Sequence, residues 1–189
     1  MRLFVAVELD DALRQAAIAE IADLRAIVAR DAPRARVTWL SAERLHLTLA
    51  FIGHVDAARL PDIQEALRPP CSLGRFEILV RGIGVFPDRG RPRVIWAGIT
   101  DGRDQLVALA GEVAARLGPA GVAREDRAYQ PHLTLARVKD PGDLRAPVVT
   151  GGRGQALLGT SLVRAITLFE SRLSPKGPEY RAIERTALQ

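Results

Sequence analysis

The sequence predicts an α+β fold of two pseudo-symmetric lobes, and three observations carry that reading. The pentapeptide His-Leu-Thr-Leu-Ala occurs twice, at residues 46–50 and 132–136. Each copy follows a strand and a helix in the same order. The offset of 86 residues between His46 and His132 is nearly half of the 189-residue chain, which suits an internal duplication better than a short-period solenoid. Residues 1–189 are therefore expected to form a single bilobal domain, each lobe with an antiparallel sheet and helices, around a central cleft.

The elements follow in order. Leu3 to Val7 is an apolar run of strand length. Asp10 or Asp11 caps a helix reaching about Arg30, because Leu13, Ala17, Ile21, Leu24 and Val28 fall on one helical face, and Pro33 ends it. Arg36 to Leu40 and Leu45 to Ile52 read as a strand pair, followed by Gly53 and a helix from about Asp56 to Leu67 that stops before Pro69-Pro70. Phe76 to Phe86 and Arg93 to Ile99 read as strands joined across residues 87–92, where prolines and a glycine make the turn. Thr100 or Asp101 caps a helix to about Leu117, with Leu106, Leu109, Ala110, Val113 and Leu117 as its apolar face and Gly118-Pro119 as its stop. Pro131 introduces the second His-bearing strand, at a position that can spare an amide hydrogen. Asp140 to Val149 holds a short helix and Gly151 to Gly154 a loop; Leu157 to Val163, Ala165 to Leu173 and Tyr180 to Thr186 are strands.

Composition narrows the function classes. With 48% apolar and 26% charged residues the chain reads as soluble and globular, and no apolar stretch is long enough to cross a bilayer. The opening Met1 to Asp10 does not fit a secretory leader, and the single cysteine, Cys71, cannot form an internal disulfide. The expectation is a cytoplasmic monomer. A net charge of +5 favours an anionic partner such as a nucleic acid end, and 25 of the 27 basic residues are Arg, the better bidentate phosphate ligand. An arginine-favouring genome explains that excess equally well.

The repeated motif carries the chemistry. On a strand, side chains alternate, so His46, Thr48 and Ala50 share one face and Leu47 and Leu49 the other, and His132, Thr134 and Ala136 repeat this against Leu133 and Leu135. Each segment buries leucines and presents an imidazole beside a hydroxyl. A free imidazole titrates near about 6.5, so one histidine can accept a proton while a second donates one. A matched pair suits phosphodiester displacement, with the threonine hydroxyls bonding the non-bridging oxygens. A lone His-x-Thr matches by chance; its repetition with scarce histidines does not. Zinc ligand spacings, a Gly-x-Ser-x-Gly elbow and a phosphate-binding Gly-rich loop are all absent. No metal or other cofactor is expected. His54, just beyond Gly53, lacks the motif and reads as a surface residue.

The doubled His-Leu-Thr-Leu, the stretch from Trp39 to Gly53 and the segment from Pro131 to Val138 resemble the two-histidine phosphoesterases. Within them the sequence is most similar to the RNA 2',3'-cyclic phosphodiesterases, also called 2'-5' RNA ligases. The likeness extends to LFVAVEL near the N-terminus and to the segment from Pro92 to Ile99. It implies a bilobal fold with both motifs lining a cleft, and metal-independent hydrolysis of a 2',3'-cyclic phosphate at an RNA end to a 2'-phosphate. tRNA fragments are among the implied substrates, and 2'-5' joining is a side reaction. The same analogy makes His46 the proton donor and His132 the proton acceptor, although near-symmetry makes the reverse order physically equivalent until the substrate's orientation is known. The alternatives are a non-catalytic nucleotide- or RNA-end-binding module and a phosphodiesterase for a small cyclic nucleotide.

Around the motifs, Arg137 matches a family position that contacts phosphate, but strict alternation sends it to the leucine face. A strand end or bulge would turn it to the cleft. Phe51 and Tyr129 are candidates to stack on a terminal base, with core packing the default for Phe51 and Trp39. Arg89, Arg91 and Arg93 crowd one loop that can meet an RNA backbone.

Overall fold

The apolar periodicities close into two antiparallel sheets. The computed structural model describes every residue except Arg124, Asp126 and Lys176, together with the side chain of Pro147. In chain order the elements are β1 (Arg2–Glu8), α1 (Asp11–Asp31), β2 (Arg36–Trp39), β3 (His46–His54), α2 (Leu60–Leu67), β4 (Phe76–Phe86), β5 (Val94–Ile99), α3 (Arg103–Leu117), β6 (His132–Asp140), α4 (Ala146–Thr150), β7 (Leu157–Val163), β8 (Ala165–Ser174) and β9 (Gly177–Ala187). One sheet has the order β3-β1-β8-β9 and the other β2-β6-β5-β4-β7. The five apolar positions expected to face the core from α1 are the ones it buries, and the same holds for α3.

Two expectations are corrected. β2 and β3 do not pair with each other: β2 lies beside β6, and β3 beside β1. Residues 41–45 contain no glycine or Asn-Gly of the kind a tight hairpin uses, and a 3-10 turn at Ala42–Arg44 instead carries the chain from one sheet to the other. The helix expected over Asp140 to Val149 is shorter, because Asp140 ends β6 and its carboxylate accepts from the Gly142 amide in a turn.

The sheets therefore do not follow the two halves of the sequence. The four-stranded sheet takes β8 and β9 from the second half, and the five-stranded sheet takes β2 and β4 from the first. The helices cross over as well. α1 leaves the four-stranded sheet yet packs against β7 and α4, while α3 leaves the five-stranded sheet and packs against β3 and α2. A single continuous apolar cluster joins them. Cys71 is buried in it, bridged to Leu188, and burial pushes its thiol pKa up. No described helix is long and apolar enough to cross a membrane.

Candidate active site

The two motifs sit on β3 and β6, which touch where the sheets meet. Leu47, Leu49, Leu133 and Leu135 are all buried, and His46, Thr48, His132 and Thr134 are half-buried on the opposite faces. The alternation then breaks in both strands at the same place. Thr134 pairs with Trp96 but Ala136 pairs with Ile95, so Leu135 is an extra residue in β6. Likewise Thr48 pairs with Ala6 and Ala50 with Val5, so Leu49 is extra in β3. Paired residues in a sheet share a face, and a bulge reverses the parity beyond it.

This corrects the placement of the alanines. Ala136 pairs with core-facing Ile95 and is fully buried, and Ala50 pairs with core-facing Val5. The next residue in each strand turns to the cleft instead. Arg137 pairs with Val94, on the face that carries Trp96 and Thr134, and Phe51 pairs with Phe4, on the face that carries Ala6 and Thr48. Arg137 and Phe51 thus hold matching positions in the two motifs, and both are exposed, Phe51 at 49%.

Both imidazoles are oriented by backbone. His132 Nδ1 donates to the Gln130 carbonyl at 2.7 Å, leaving Nε2 as the free lone pair. His46 makes the matching hydrogen bond to the Arg44 backbone, two residues before it. With the ring proton engaged there, the Thr48 hydroxyl donates to His46 Nε2 at 3.1 Å. Aromatic rings enclose each histidine. Phe4 and Tyr180 lie 4.9 and 5.2 Å from His46, and Phe86 stands edge-on to His132 at 5.2 Å.

That enclosure sets the protonation states. Burial drives the His46 pKa down to about 4, the positive charge of Arg137 adds to the effect, and the Arg44 hydrogen bond opposes it. Burial also lowers the His132 pKa, again with Arg137 adding and the Gln130 hydrogen bond opposing. Arg137 is therefore close enough to both rings to act on each. Among the described residues no cluster of three or more His, Cys, Asp or Glu side chains is placed to hold a metal.

The remaining candidates divide. Tyr129 packs against the core with its hydroxyl buried, and burial raises its pKa; it does not stand free at the cleft. Trp39 also packs on the core, and His54 is exposed at the end of β3. Arg89, Arg91 and Arg93 are exposed, and Arg93 donates to the Lys139 carbonyl beside Arg137's strand.

Beside His132, between β4, β5 and α3, lies a pocket of about 300 Å³ that motif reading missed. Arg81, Phe86, Trp96, Thr100, Arg103 and Gln130 line it. A signal existed for Arg81: it is the single cation of β4, set between the apolar residues 78–80 and 82–86. Gly84 permits the pocket's floor, since a Cβ there would come within 2.2 Å of the Trp96 indole.

Two sheets carrying paired His-x-Thr strands across a shared cleft define the two-histidine phosphoesterase fold. Residues 10–171 match the 2'-5' RNA ligase superfamily. The chain is 35% identical over 181 residues to the RNA 2',3'-cyclic phosphodiesterase of Archaeoglobus fulgidus, covering 96% of this chain and 97% of that one. It is 33% identical over 186 residues to the enzyme of the same name in Methanothermobacter thermautotrophicus, covering 97% of each. Among solved structures it is similar to TT0787 of Thermus thermophilus, with a TM-score of 0.80 at 30% identity over 100% of this chain and 98% of that one. It is similar also to Escherichia coli LigT complexed with 3'-AMP, with a TM-score of 0.72 at 25% identity over 99% and 97%. The chain belongs to the 2'-5' RNA ligase superfamily.

Proposed function

We propose that this protein hydrolyses 2',3'-cyclic phosphate ends of RNA to 2'-phosphates, without a metal, by paired-histidine acid–base catalysis. One observation carries the reading: two histidines with matching backbone hydrogen bonds, on matching strands of two sheets, both feel the charge of Arg137. The names of the relatives supply the substrate class.

In this scheme His132 Nε2 takes a proton from water, and the water oxygen attacks phosphorus. The P–O3' bond breaks opposite, and O3' takes a proton from His46, giving a 2'-phosphate and a free 3'-hydroxyl. Proton exchange with solvent then resets both rings. Thr48, Thr134 and Arg137 bond the non-bridging oxygens, and exposed Phe51 offers a stacking face to the terminal base. In the empty cleft both depressed imidazoles favour the neutral form. A bound phosphate reverses part of that, because a negative charge nearby stabilises imidazolium. The substrate thus helps to charge its own acid.

The test is incubation of an oligoribonucleotide ending in a 2',3'-cyclic phosphate, with a chelator present, followed by location of the phosphate in the product. A 2'-phosphate is expected. A 3'-phosphate would reverse the leaving group, and tight binding without cleavage would leave a binding module in place of an enzyme.

A further inference from the structure

The pseudo-symmetry of the cleft breaks at one register position. Across from His46 on the neighbouring strand stands Glu8, held by Arg185 and by the Thr167 hydroxyl. Across from His132 stands Gly98, and there the pocket opens. A Cβ at Gly98 would come within 2.7 Å of the Arg81 carbonyl, so that side is kept free of a side chain.

The unmet buried groups that line the pocket are all donors. Arg81 Nε and Trp96 Nε1 are buried donors with no partner, and leaving a buried donor unmet is unfavourable. Arg103, at the entrance to α3, adds a second guanidinium, and among the described residues neither arginine is ion-paired and no carboxylate lines the pocket. Two unmet buried donors beside two guanidiniums call for a group rich in acceptors. A nucleobase presents both kinds on its edge; a phosphate oxygen presents acceptors alone, with a charge that suits two arginines.

We propose that this pocket is a second phosphate subsite, which takes the phosphodiester joining the cyclic-phosphate nucleotide to the rest of the RNA. The inference rests on the reaction proposed above and adds its substrate form. The 5'-phosphate of the terminal nucleotide seats against Arg81, Arg103 and Trp96 Nε1 while the cyclic phosphate lies between the histidines. His132 lines the pocket as well as the cleft, so the two anions are neighbours. The enzyme then distinguishes an RNA end from a free cyclic mononucleotide by a charge at the 5' side of the same nucleotide.

A pair of substrates differing by one group tests this: a nucleoside 2',3'-cyclic phosphate, and the same compound bearing a 5'-phosphate. The wild-type kcat/KM is expected to be at least about ten-fold higher with the 5'-phosphate, the scale of one charge-assisted contact. Arg103→Ala, at an exposed helix end, and Trp96→Phe, which keeps a ring and removes the N–H, should each shrink that ratio. Arg81→Met should shrink it most. Equal kcat/KM for the two substrates in the wild type overturns the subsite while leaving the proposed reaction standing. So do variants that lose rate on both substrates in parallel. No turnover of either substrate overturns the proposed reaction, and this inference with it.

Discussion

His46→Ala and His132→Ala should each lower the rate by roughly 100- to 10,000-fold, the range for loss of a general acid or base, with unchanged circular dichroism. Activity that persists in both variants removes the scheme. The pH dependence is more specific. Both imidazoles are depressed below 6.5 in the free protein, so the bell of kcat/KM should centre on the acid side of that value. Arg137→Gln removes a charge that lowers both rings, so both limbs should move to higher pH as the rate falls. A profile that drops without moving would separate Arg137 from the histidines. Stability responds to the same shift. The unfolded chain protonates His46 near its reference value, but the folded ring resists protonation until about 4. The unfolded state therefore binds more protons in that window, and stability falls with pH from 6.5 towards 4, by on the order of 3 kcal/mol. His46→Ala should flatten that part of the denaturation-versus-pH curve.

At the scale of elements, helices were the most legible. The apolar faces of α1 and α3 were readable because a period of 3.6 residues is written locally. The leucine faces of β3 and β6 were readable for the same reason at period two. The seat of each bulge was not, because a bulge belongs to a pairing, and the run His-Leu-Thr-Leu-Ala looks like unbroken alternation until β1 and β5 lie beside it. That is why Ala50 and Ala136 were misplaced while Arg137, suspected of turning, does turn. The pocket escaped for a related reason. Arg81 and Trp96 come to one pocket only through the register in which β4 and β5 pair, with Gly84 opposite Trp96 leaving room for the indole. Gly84→Ala should displace that ring, lowering the melting temperature and altering indole fluorescence. An unchanged emission spectrum would refute the packing argument.

At the scale of the molecule, neither half of the sequence owns a lobe. β8 and β9 complete the sheet that β1 and β3 begin, and α1 and α3 each cover the opposite sheet. This exchange was illegible because β2 and β3 are consecutive, and consecutive strands usually pair. Fragments 1–70 and 71–189, made separately, should each stay unfolded by circular dichroism and recover structure only when mixed. Independent folding of either would contradict the exchange.

The short passage at residues 41–45 has a further bearing. It leaves β2 where the Leu40 amide bonds the Leu135 carbonyl, and it enters β3 at His46. Arg14 of α1 grips its middle through the Ala42 carbonyl. One motif-bearing strand is thus leashed to the flank of the other, and the width of the cleft between the two imidazoles is tied to a covalent length. Two glycines inserted there would slacken the leash, slowing turnover while the melting temperature barely moved.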